Sequence, residues 1–321
     1  MTVQAGIFRQ YDIRGVVGRD LTAEAARAIG QAYAALLAER GIAGPVAIGR
    51  DNRASGTMLR AALVEGLTSC GVSVVDLGTV PTPVAYWALH NLDVVGCVQI
   101  TGSHNPPEFN GFKACVGTTT LYGDDIQHLY ALIQRGVFPS GAGTVHEEDV
   151  LDRYIDDLVA RTGPLPRRIK VVYDCGNGVG AVTAPALFKR LGVDAIGLFT
   201  ESDGRFPNHH PDPTVVENLQ DLIATVRREH AEIGIGFDGD ADRIGVVDGD
   251  GNIVWGDYLL LAYARDVLAR TGPGQKIIFD VKCSQALPDA IRAAGGVPVM
   301  WKTGHSLIKE KMKEEHAPVA G

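Results

Sequence analysis

The sequence predicts an α/β protein of consecutive domains, each with a mixed, mainly parallel sheet covered by helices. A chain of 321 residues is too long for one small domain. One order of features also occurs three times: a strand ends in aspartate (Asp51, Asp174, Asp280), a loop and a helix follow, and glycine precedes the next strand. The repetition could arise by chance, since any α/β protein alternates strands and helices. The shared aspartate and glycine favour true repeats.

Hydrophobic periodicity and capping residues predict the individual elements. Thr22 is expected to cap a helix that runs to about Arg40, where Gly41 ends it. Residues 94–100 are mostly apolar, as in a buried strand. The remaining predicted helices are 57–70, 147–161, 184–191, 285–294 and 307–315, and the remaining predicted strands are 45–49, 72–76, 170–174, 193–199, 233–237, 244–247, 276–280, 297–301 and 317–321.

Stretches rich in glycine, proline and serine indicate the domain boundaries. We expect a first domain at 1–146, a second at 147–252 and a third at 253–321, with the helix 147–161 bridging the first two. The first two repeats each continue to a loop with chemically distinctive residues. Because Gly321 follows Asp280 too closely for a third such loop, the third domain is expected to be incomplete.

Composition limits the classes of function. A formal net charge of −8 argues against a nucleic-acid surface, although local arginines and lysines can still bind phosphorylated small molecules. The five cysteines are scattered and none has zinc-ligand spacing, as in a reduced cytoplasmic protein. The first 14 residues lack a signal-peptide core, and no apolar run approaches the ~18 residues of a membrane span. We therefore expect no nucleic-acid or membrane partner, and nothing implies a protein partner.

The loop Thr101–Pro107 follows the predicted buried strand 94–100 and displays a serine. Pro106 and Pro107 cannot continue a strand ladder, and Pro106 keeps Asn105 extended. Ser103 is thus presented on a stiff loop beside Gly102, which lets a ligand approach the backbone. An ordinary strand-to-loop turn rich in serine, asparagine and proline is the alternative interpretation.

Three aspartates alternate with small residues in a second loop, at Asp238, Asp240 and Asp242. Carboxylates at every second position of an extended segment point the same way, and three such oxygens suit Mg²⁺. The EF-hand pattern fails, because Arg243 stands where its glycine and Gly249 where its glutamate would be. A charged hairpin tip is the alternative, but clustered carboxylates repel one another without a cation. We predict a metal site.

Three further patterns each have an alternative interpretation. The glycines of 176–181 imitate a dinucleotide-binding fingerprint, a pattern that this chain also matches inside a strand, where it means nothing. His209 and His210 could bind zinc, but three prolines nearby make a rigid loop the better interpretation. Ser103 and His104 have the composition of a nucleophile–base pair, yet adjacent side chains are expected to diverge.

Basic residues accompany these loops. Lys113 lies shortly after Ser103, and Lys302 follows the predicted strand 297–301. Taken singly, each is more often a solvated surface charge. Together with Arg14 and Arg243, they would form a cationic ring suited to phosphate.

These motifs together resemble the α-D-phosphohexomutase family along nearly the whole chain. Ala241 departs from the family's usual glycine, a small change that should leave the loop open. The matching segments are YDIRG (11–15), TGSHNPPEFNGFK (101–113), DCGNGV (174–179), FPNHHPDP (206–213), FDGDADR (237–243), DVKC (280–283) and WKTGHSLIK (301–309).

The resemblance implies a mutase that interconverts mannose or glucose 1-phosphate and the 6-phosphate through a phosphoserine and a bisphosphorylated sugar. It implies phosphorylated hexoses as partners, and one Mg²⁺ and glucose or mannose 1,6-bisphosphate as cofactors. A phosphoglucosamine-type mutase and a non-catalytic phosphosugar- or nucleotide-binding protein are the alternatives. The catalytic residues would be Ser103, His104, Lys113, Arg243 and His305, the substrate-binding residues Tyr11, Arg14, Asn105, Lys282 and Lys302, and the metal ligands Asp238, Asp240, Asp242 and Ser103.

Two further expectations follow from the resemblance. A base must take the proton of the sugar hydroxyl, and Lys113 and His305 are both open for that role. The sugar-selecting loop and the fourth domain of the family have no counterpart here. The chain is therefore expected to be C-terminally truncated and to turn over hexose phosphates slowly.

Overall fold

A computed structural model describes residues 3–321, except for the side chain of His305. The predicted catalytic role of His305 therefore lies outside the described residues. The chain divides into two compact units, one of 1–244 with 249–251 and one of 245–248 with 252–321. We describe each unit by itself.

The first unit begins with a seven-stranded mixed sheet. Its strand order is β1-β5-β4-β2-β3-β7, with β6 paired to β5. Strand β2 is parallel to β3 and β4, and β3 is parallel to β7, whereas β5 runs antiparallel to β1 and β4. The strands are β1 (Ile13–Val16), β2 (Val46–Arg50), β3 (Val74–Thr79), β4 (Gly96–Ile100), β5 (Phe109–Val116), β6 (Thr119–Thr120) and β7 (Val145–Glu147).

Helices cover both faces of this sheet. Strand residues alternate between faces, so Val46 and Ile48 join one hydrophobic cluster and Ala47 joins another. Thr22 caps α1 as predicted, its side chain accepting a hydrogen bond from the Ala25 N–H at 3.2 Å. The helices are α1 (Ala23–Glu39), α2 (Gly56–Ser69), α3 (Thr82–Asn91) and α4 (Asp124–Arg135).

Three parallel strands continue the first unit, with β8 between β9 and β10. Tyr173 of β8 stacks on Phe188 with ring centroids 4.6 Å apart, inside the local core. These elements are α5 (Leu151–Thr162), β8 (Lys170–Asp174), α6 (Ala184–Leu191), β9 (Asp194–Leu198), α7 (Gln220–Glu229) and β10 (Ile233–Phe237).

The predicted start of the bridging helix is wrong. Glu147 belongs to β7, which pairs in parallel with β3 through Val74 and Val145, and helix α5 begins only at Leu151. This pairing places the backbone N–H and C=O groups of Glu147 in the sheet, although the sequence pattern predicted that the helix already begins there. Asp149 then accepts the Leu151 N–H at 3.1 Å, where the helix starts.

In the second unit, β13 lies between β14 and β15 and is parallel to both. The remaining elements of the chain are β11 (Ile244–Asp248), β12 (Ile253–Val254), α8 (Gly256–Thr271), β13 (Lys276–Asp280), α9 (Ala286–Ala293), β14 (Val297–Trp301), α10 (His305–Glu314) and β15 (Val319–Ala320). Strands β11 and β12 form an antiparallel pair. Among residues 3–321, no helix is both long and apolar enough to cross a membrane.

Candidate active site

The serine loop, Thr101–Pro107, lies between the end of β4 and the start of β5, which runs antiparallel to β4. Ser103 is fully buried and has φ +50°, a left-handed conformation that is uncommon for a residue with a side chain. Its hydroxyl donates to Asp238 Oδ2 at 2.9 Å. Strain of this kind persists only where the surroundings hold the backbone in place.

Asp51, at the end of β2, supplies part of that hold. Its Oδ2 accepts the Thr101 hydroxyl at 2.8 Å and the Gly102 N–H at 3.1 Å. Thr101 Oγ1 in turn accepts the Ser103 N–H at 2.8 Å. Burial raises the pKa of Asp51, while Arg53 and these hydrogen bonds act in the opposite direction.

Arg53 also holds the serine loop, a role that the sequence pattern did not indicate. Its side chain is 1% exposed and its five N–H groups are all used. Nε donates to Asp51 Oδ2 at 3.1 Å. Four contacts of 2.6–3.1 Å go to main-chain carbonyls, three of them within the serine loop, at Ser103, Asn105 and Pro106, and one at the start of β5, at Phe109. A second charged residue two positions after the strand-end Asp51 could have indicated a role for Arg53. Its main-chain hydrogen-bond partners, however, are about 50 residues away and cannot be predicted from the local sequence.

The acidic loop, residues 238–243, follows β10 and folds back so that its three carboxylates converge. One oxygen of each of Asp238, Asp240 and Asp242 lies within 4.8 Å of the others. Asp238 Oδ1 accepts the N–H groups of Asp242 and Arg243 at 3.0 and 3.1 Å, which closes the turn. Asp238 and Asp240 are fully buried.

Lys113 of β5 carries the nearest positive charge. Its ammonium lies 2.6 Å from Asp240 Oδ2 and 2.6 Å from Asp242 Oδ2, and it is buried, so the solvated-charge interpretation is wrong for this lysine. Burial lowers the pKa of Lys113, but the two carboxylates outweigh burial and raise it overall. Burial raises the pKa of Asp240 as well, and Lys113 outweighs that and lowers it. Burial and the two other carboxylates raise the pKa of Asp238.

One oxygen of the cluster fits a cation. Asp240 Oδ1 is buried and has no hydrogen-bond partner among the described residues, although Oδ2 has two. A buried carboxylate oxygen without a donor is costly unless a cation or water satisfies it. Three converging carboxylates with an unused oxygen are therefore a donor set that suits Mg²⁺.

His104 and Arg243 complete the surroundings of Ser103. His104 Nδ1 lies 3.4 Å from the serine hydroxyl oxygen, so the expectation that the two adjacent side chains diverge is wrong. The left-handed backbone at Ser103 turns both toward the same point. Arg243 Nη2 lies 3.3 Å from the hydroxyl oxygen and 2.7 Å from His104 Nδ1. Burial and then the charge of Arg243 lower the pKa of His104 to about 4, so its ring is neutral at pH 7.

The histidine-containing loop packs against the serine loop. The two ring nitrogens of His209 lie 3.0 Å from Asp174 Oδ2 and 3.0 Å from the His210 carbonyl, and His210 donates to the His104 carbonyl. These contacts agree with a rigid loop and account for His209 without a metal. The glycine motif 176–181 also packs here: a Cβ on Gly178 would lie 2.9 Å from the Gly239 carbonyl. Close packing thus explains that glycine.

The other predicted site residues are placed as follows. Arg14 pairs with Asp12, and its Nε is buried without a partner among the described residues. Asn105 donates to the Gly102 carbonyl at 2.9 Å and so stays within the serine loop. Tyr11 is half-buried at the start of the first unit. Lys282 and Lys302 are exposed residues of the second unit. The structure therefore brings together Ser103, His104, Lys113, Arg243 and the three aspartates.

Ala241 has φ +56°, so the departure from the family's usual glycine is strained. Replacing Ala241 with glycine should relieve about 1–2 kcal/mol of strain and lose roughly 0.5–1 kcal/mol to the greater freedom of the unfolded chain. We expect a net stabilisation of about 0.5–1 kcal/mol, measured by denaturant unfolding. Ala142→Gly, in an exposed loop without positive φ, is the control and should not stabilise. No gain for Ala241→Gly would show that the surrounding loop absorbs the strain.

A buried serine beside clustered carboxylates, a lysine and an arginine, at the strand ends of an α/β fold, defines a phosphoryl-transfer enzyme. Family models described as phosphoglucomutase/phosphomannomutase, alpha/beta/alpha domains I, II and III match 5–139, 152–251 and 255–321. The chain belongs to this phosphoglucomutase/phosphomannomutase family and is a hexose phosphate mutase, an isomerase of carbohydrate metabolism. The predicted family, fold class and type of activity are confirmed.

Individual relatives agree. A phosphomannomutase/phosphoglucomutase of Pseudomonas aeruginosa is 52% identical over 323 residues, covering 100% of this chain and 68% of the relative. A phosphoglucomutase of Neisseria gonorrhoeae is 49% identical, covering 100% of this chain and 69% of the relative. The crystal structure of a family protein from Burkholderia thailandensis superposes with TM-score 0.96 at 47% identity, covering 100% of this chain and 71% of that one. The family uses magnesium and a bisphosphorylated sugar.

Proposed function

We propose that this chain interconverts mannose or glucose 1-phosphate and the corresponding 6-phosphate, with Ser103 as the phosphoryl carrier. The observation that carries the proposal is the hydrogen bond of the Ser103 hydroxyl to Asp238, beside the unused oxygen of Asp240. A hydroxyl held at a cluster of carboxylates lies where a cation would meet a phosphate ester.

The domain boundaries at 146/147 and 252/253 and a cytoplasmic location, in line with five free cysteines, belong to the same proposal.

Asp238, Asp240 and Asp242 would hold one Mg²⁺, with Ser103 Oγ or an oxygen of its phosphate as a further ligand. When bound, the ion offsets the charge of the transferring phosphoryl group. Lys113 already offsets part of the charge of Asp240 and Asp242. Arg243, 3.3 Å from Ser103 Oγ, is placed to contact phosphoryl oxygens on the serine.

In the proposed reaction, the bond between Ser103 Oγ and phosphorus breaks while a sugar hydroxyl oxygen bonds to phosphorus. The hydroxyl proton passes to a base, for which Lys113 and His305 are both proposed. Lys113 would accept it only after losing its own proton, which Asp240 and Asp242 disfavour by raising its pKa. The bisphosphorylated sugar then presents its other phosphate. Ser103 Oγ bonds to that phosphorus while the bond from phosphorus to the sugar oxygen breaks, and the freed sugar oxygen takes up the proton held by the base. Because His104 is neutral, its Nδ1 can accept hydrogen bonds near Oγ without adding charge.

The substrate phosphate would meet the remaining basic and polar residues. The buried Nε of Arg14, which has no partner among the described residues, is a donor available to a phosphate oxygen. We propose Tyr11, Arg14, Asn105, Lys282 and Lys302 as substrate-binding residues. The ion pair of Arg14 with Asp12 holds its guanidinium in one orientation.

The sugar is proposed to be glucose or mannose, because relatives named for those sugars are about half identical to this chain. N-acetylphosphoglucosamine mutase of Aspergillus fumigatus, solved with GlcNAc-6P and magnesium, is 17% identical, which shows the fold alone. The test is kcat/KM for mannose, glucose and N-acetylglucosamine 1-phosphates, with Mg²⁺ and glucose 1,6-bisphosphate. We expect turnover of the first two and at least about a hundredfold less of the third. A preference for the acetamido sugar would contradict the proposal, as would binding of all three without turnover.

A further inference from the structure

The two oxygens of the Asp240 carboxylate have different surroundings. Oδ2 accepts hydrogen bonds from the hydroxyl of Thr82 and from the ammonium of Lys113, whereas Oδ1 accepts none among the described residues. Both donors lie on the same oxygen, so they determine which oxygen remains for a cation. The carboxylate is fully buried, and no solvent competes for Oδ2.

Thr82 contacts Asp240 at two points. Its hydroxyl donates to the carboxylate, and its N–H donates to the Asp240 carbonyl at 3.0 Å. Thr82 is the first residue of α3 and is fully buried, between Pro81 and Pro83. Proline restricts the backbone on both sides of Thr82, and burial with the contact to Asp240 holds its hydroxyl.

Lys113 shares Oδ2 but is less selective. Its ammonium ends a flexible four-carbon stem and divides its hydrogen bonds between Asp240 and Asp242. A neutral hydroxyl beside the carboxylate, unlike an ammonium, adds no charge repulsion to a bound cation. Thr82 is therefore the group best placed to set the rotation of the Asp240 carboxylate.

We propose that Thr82 is a positioning residue, which orients Asp240 so that Oδ1 faces the magnesium ion. This inference rests on the proposed metal site. Hydrogen bonds to the ligands of a metal usually change its affinity by about 10–100-fold, and we expect a loss of that size when the hydroxyl is removed.

The test is the dissociation constant of Mg²⁺, measured by titration calorimetry and by the Mg²⁺-dependent shift of the melting midpoint. Thr82→Val keeps the shape and removes the donor, and should weaken Mg²⁺ binding about 10–100-fold. Thr82→Ser restores the donor and should stay within about threefold of the parent protein. Thr225→Val, at another buried threonine, is the matched control and should leave the affinity unchanged.

Asp240→Asn separates the two proposals. If Asp240→Asn abolishes Mg²⁺ binding while Thr82→Val binds as the parent does, the metal site stands and the role of Thr82 is refuted. If Asp240→Asn binds Mg²⁺ as the parent does, the metal site itself lies elsewhere. Thr82→Ala is measured beside the valine variant, and melting without Mg²⁺ identifies which of the two keeps the fold of the parent. Parent-like affinity in that variant overturns the role of Thr82.

Discussion

Replacement of Ser103 by alanine is expected to lower hexose phosphate turnover at least about a thousandfold, because the variant has no oxygen to carry the phosphoryl group. Alanine removes only the hydroxyl, whose contacts are Asp238, Arg243 and His104. Turnover is measured with glucose 1-phosphate, Mg²⁺ and glucose 1,6-bisphosphate.

Ser69→Ala is the matched control for this variant. The Ser69 hydroxyl donates to the Gly66 carbonyl inside α2, away from the serine loop, and its removal should leave turnover unchanged. Activity of Ser103→Ala near that of the parent would refute the assignment of the phosphoryl carrier. The melting midpoint of each variant is also measured. A variant that keeps the midpoint of the parent has kept its fold, so its loss of turnover reports on the chemistry.

Among the variants described, replacement of Arg53 by methionine is expected to cause the largest loss of folding stability. The change leaves Asp51 as an unpaired buried charge and removes the donors of four main-chain carbonyls. Removing one partner of a buried ion pair costs about 3–5 kcal/mol. At about 2–4 °C for each kcal/mol in a unit of this size, the melting midpoint should fall by roughly 6–20 °C.

Arg205→Met is the control, because Arg205 is exposed and its ion pair is with nearby Asp203. Its melting midpoint should match that of the parent. Arg53→Lys should lie between parent and Arg53→Met, because an ammonium restores the charge but cannot reach all four carbonyls. A midpoint for Arg53→Met equal to that of the parent would show that the serine loop is held without the arginine.

The sequence predicted the two loops but not what holds them. Ser103 and the three aspartates stand out because small residues and prolines isolate them after strands. Arg53 and Thr82 do not stand out, because their roles depend on carbonyls and a carboxylate that the fold brings from distant positions. Local pattern carries no information about such pairings.

Backbone geometry explains two further differences. The contact of His104 with Ser103 depends on a left-handed φ that residue type does not indicate, since serine rarely adopts it. The start of α5 was predicted too early, because the acidic residues 147–149 are typical of a helix start, yet Glu147 pairs with Asp76 of β3. In both cases tertiary contacts outweigh local preference.

The central claim is that Ser103 carries the phosphoryl group, and mass spectrometry after incubation with glucose 1,6-bisphosphate and Mg²⁺ tests it most directly. We expect intact protein with one added phosphoryl group, located by fragmentation on Ser103, and none on Ser103→Ala. Addition of glucose 1-phosphate should remove the group from the parent protein. A phosphoryl group on another residue, or turnover without any phosphorylated protein, would contradict the account.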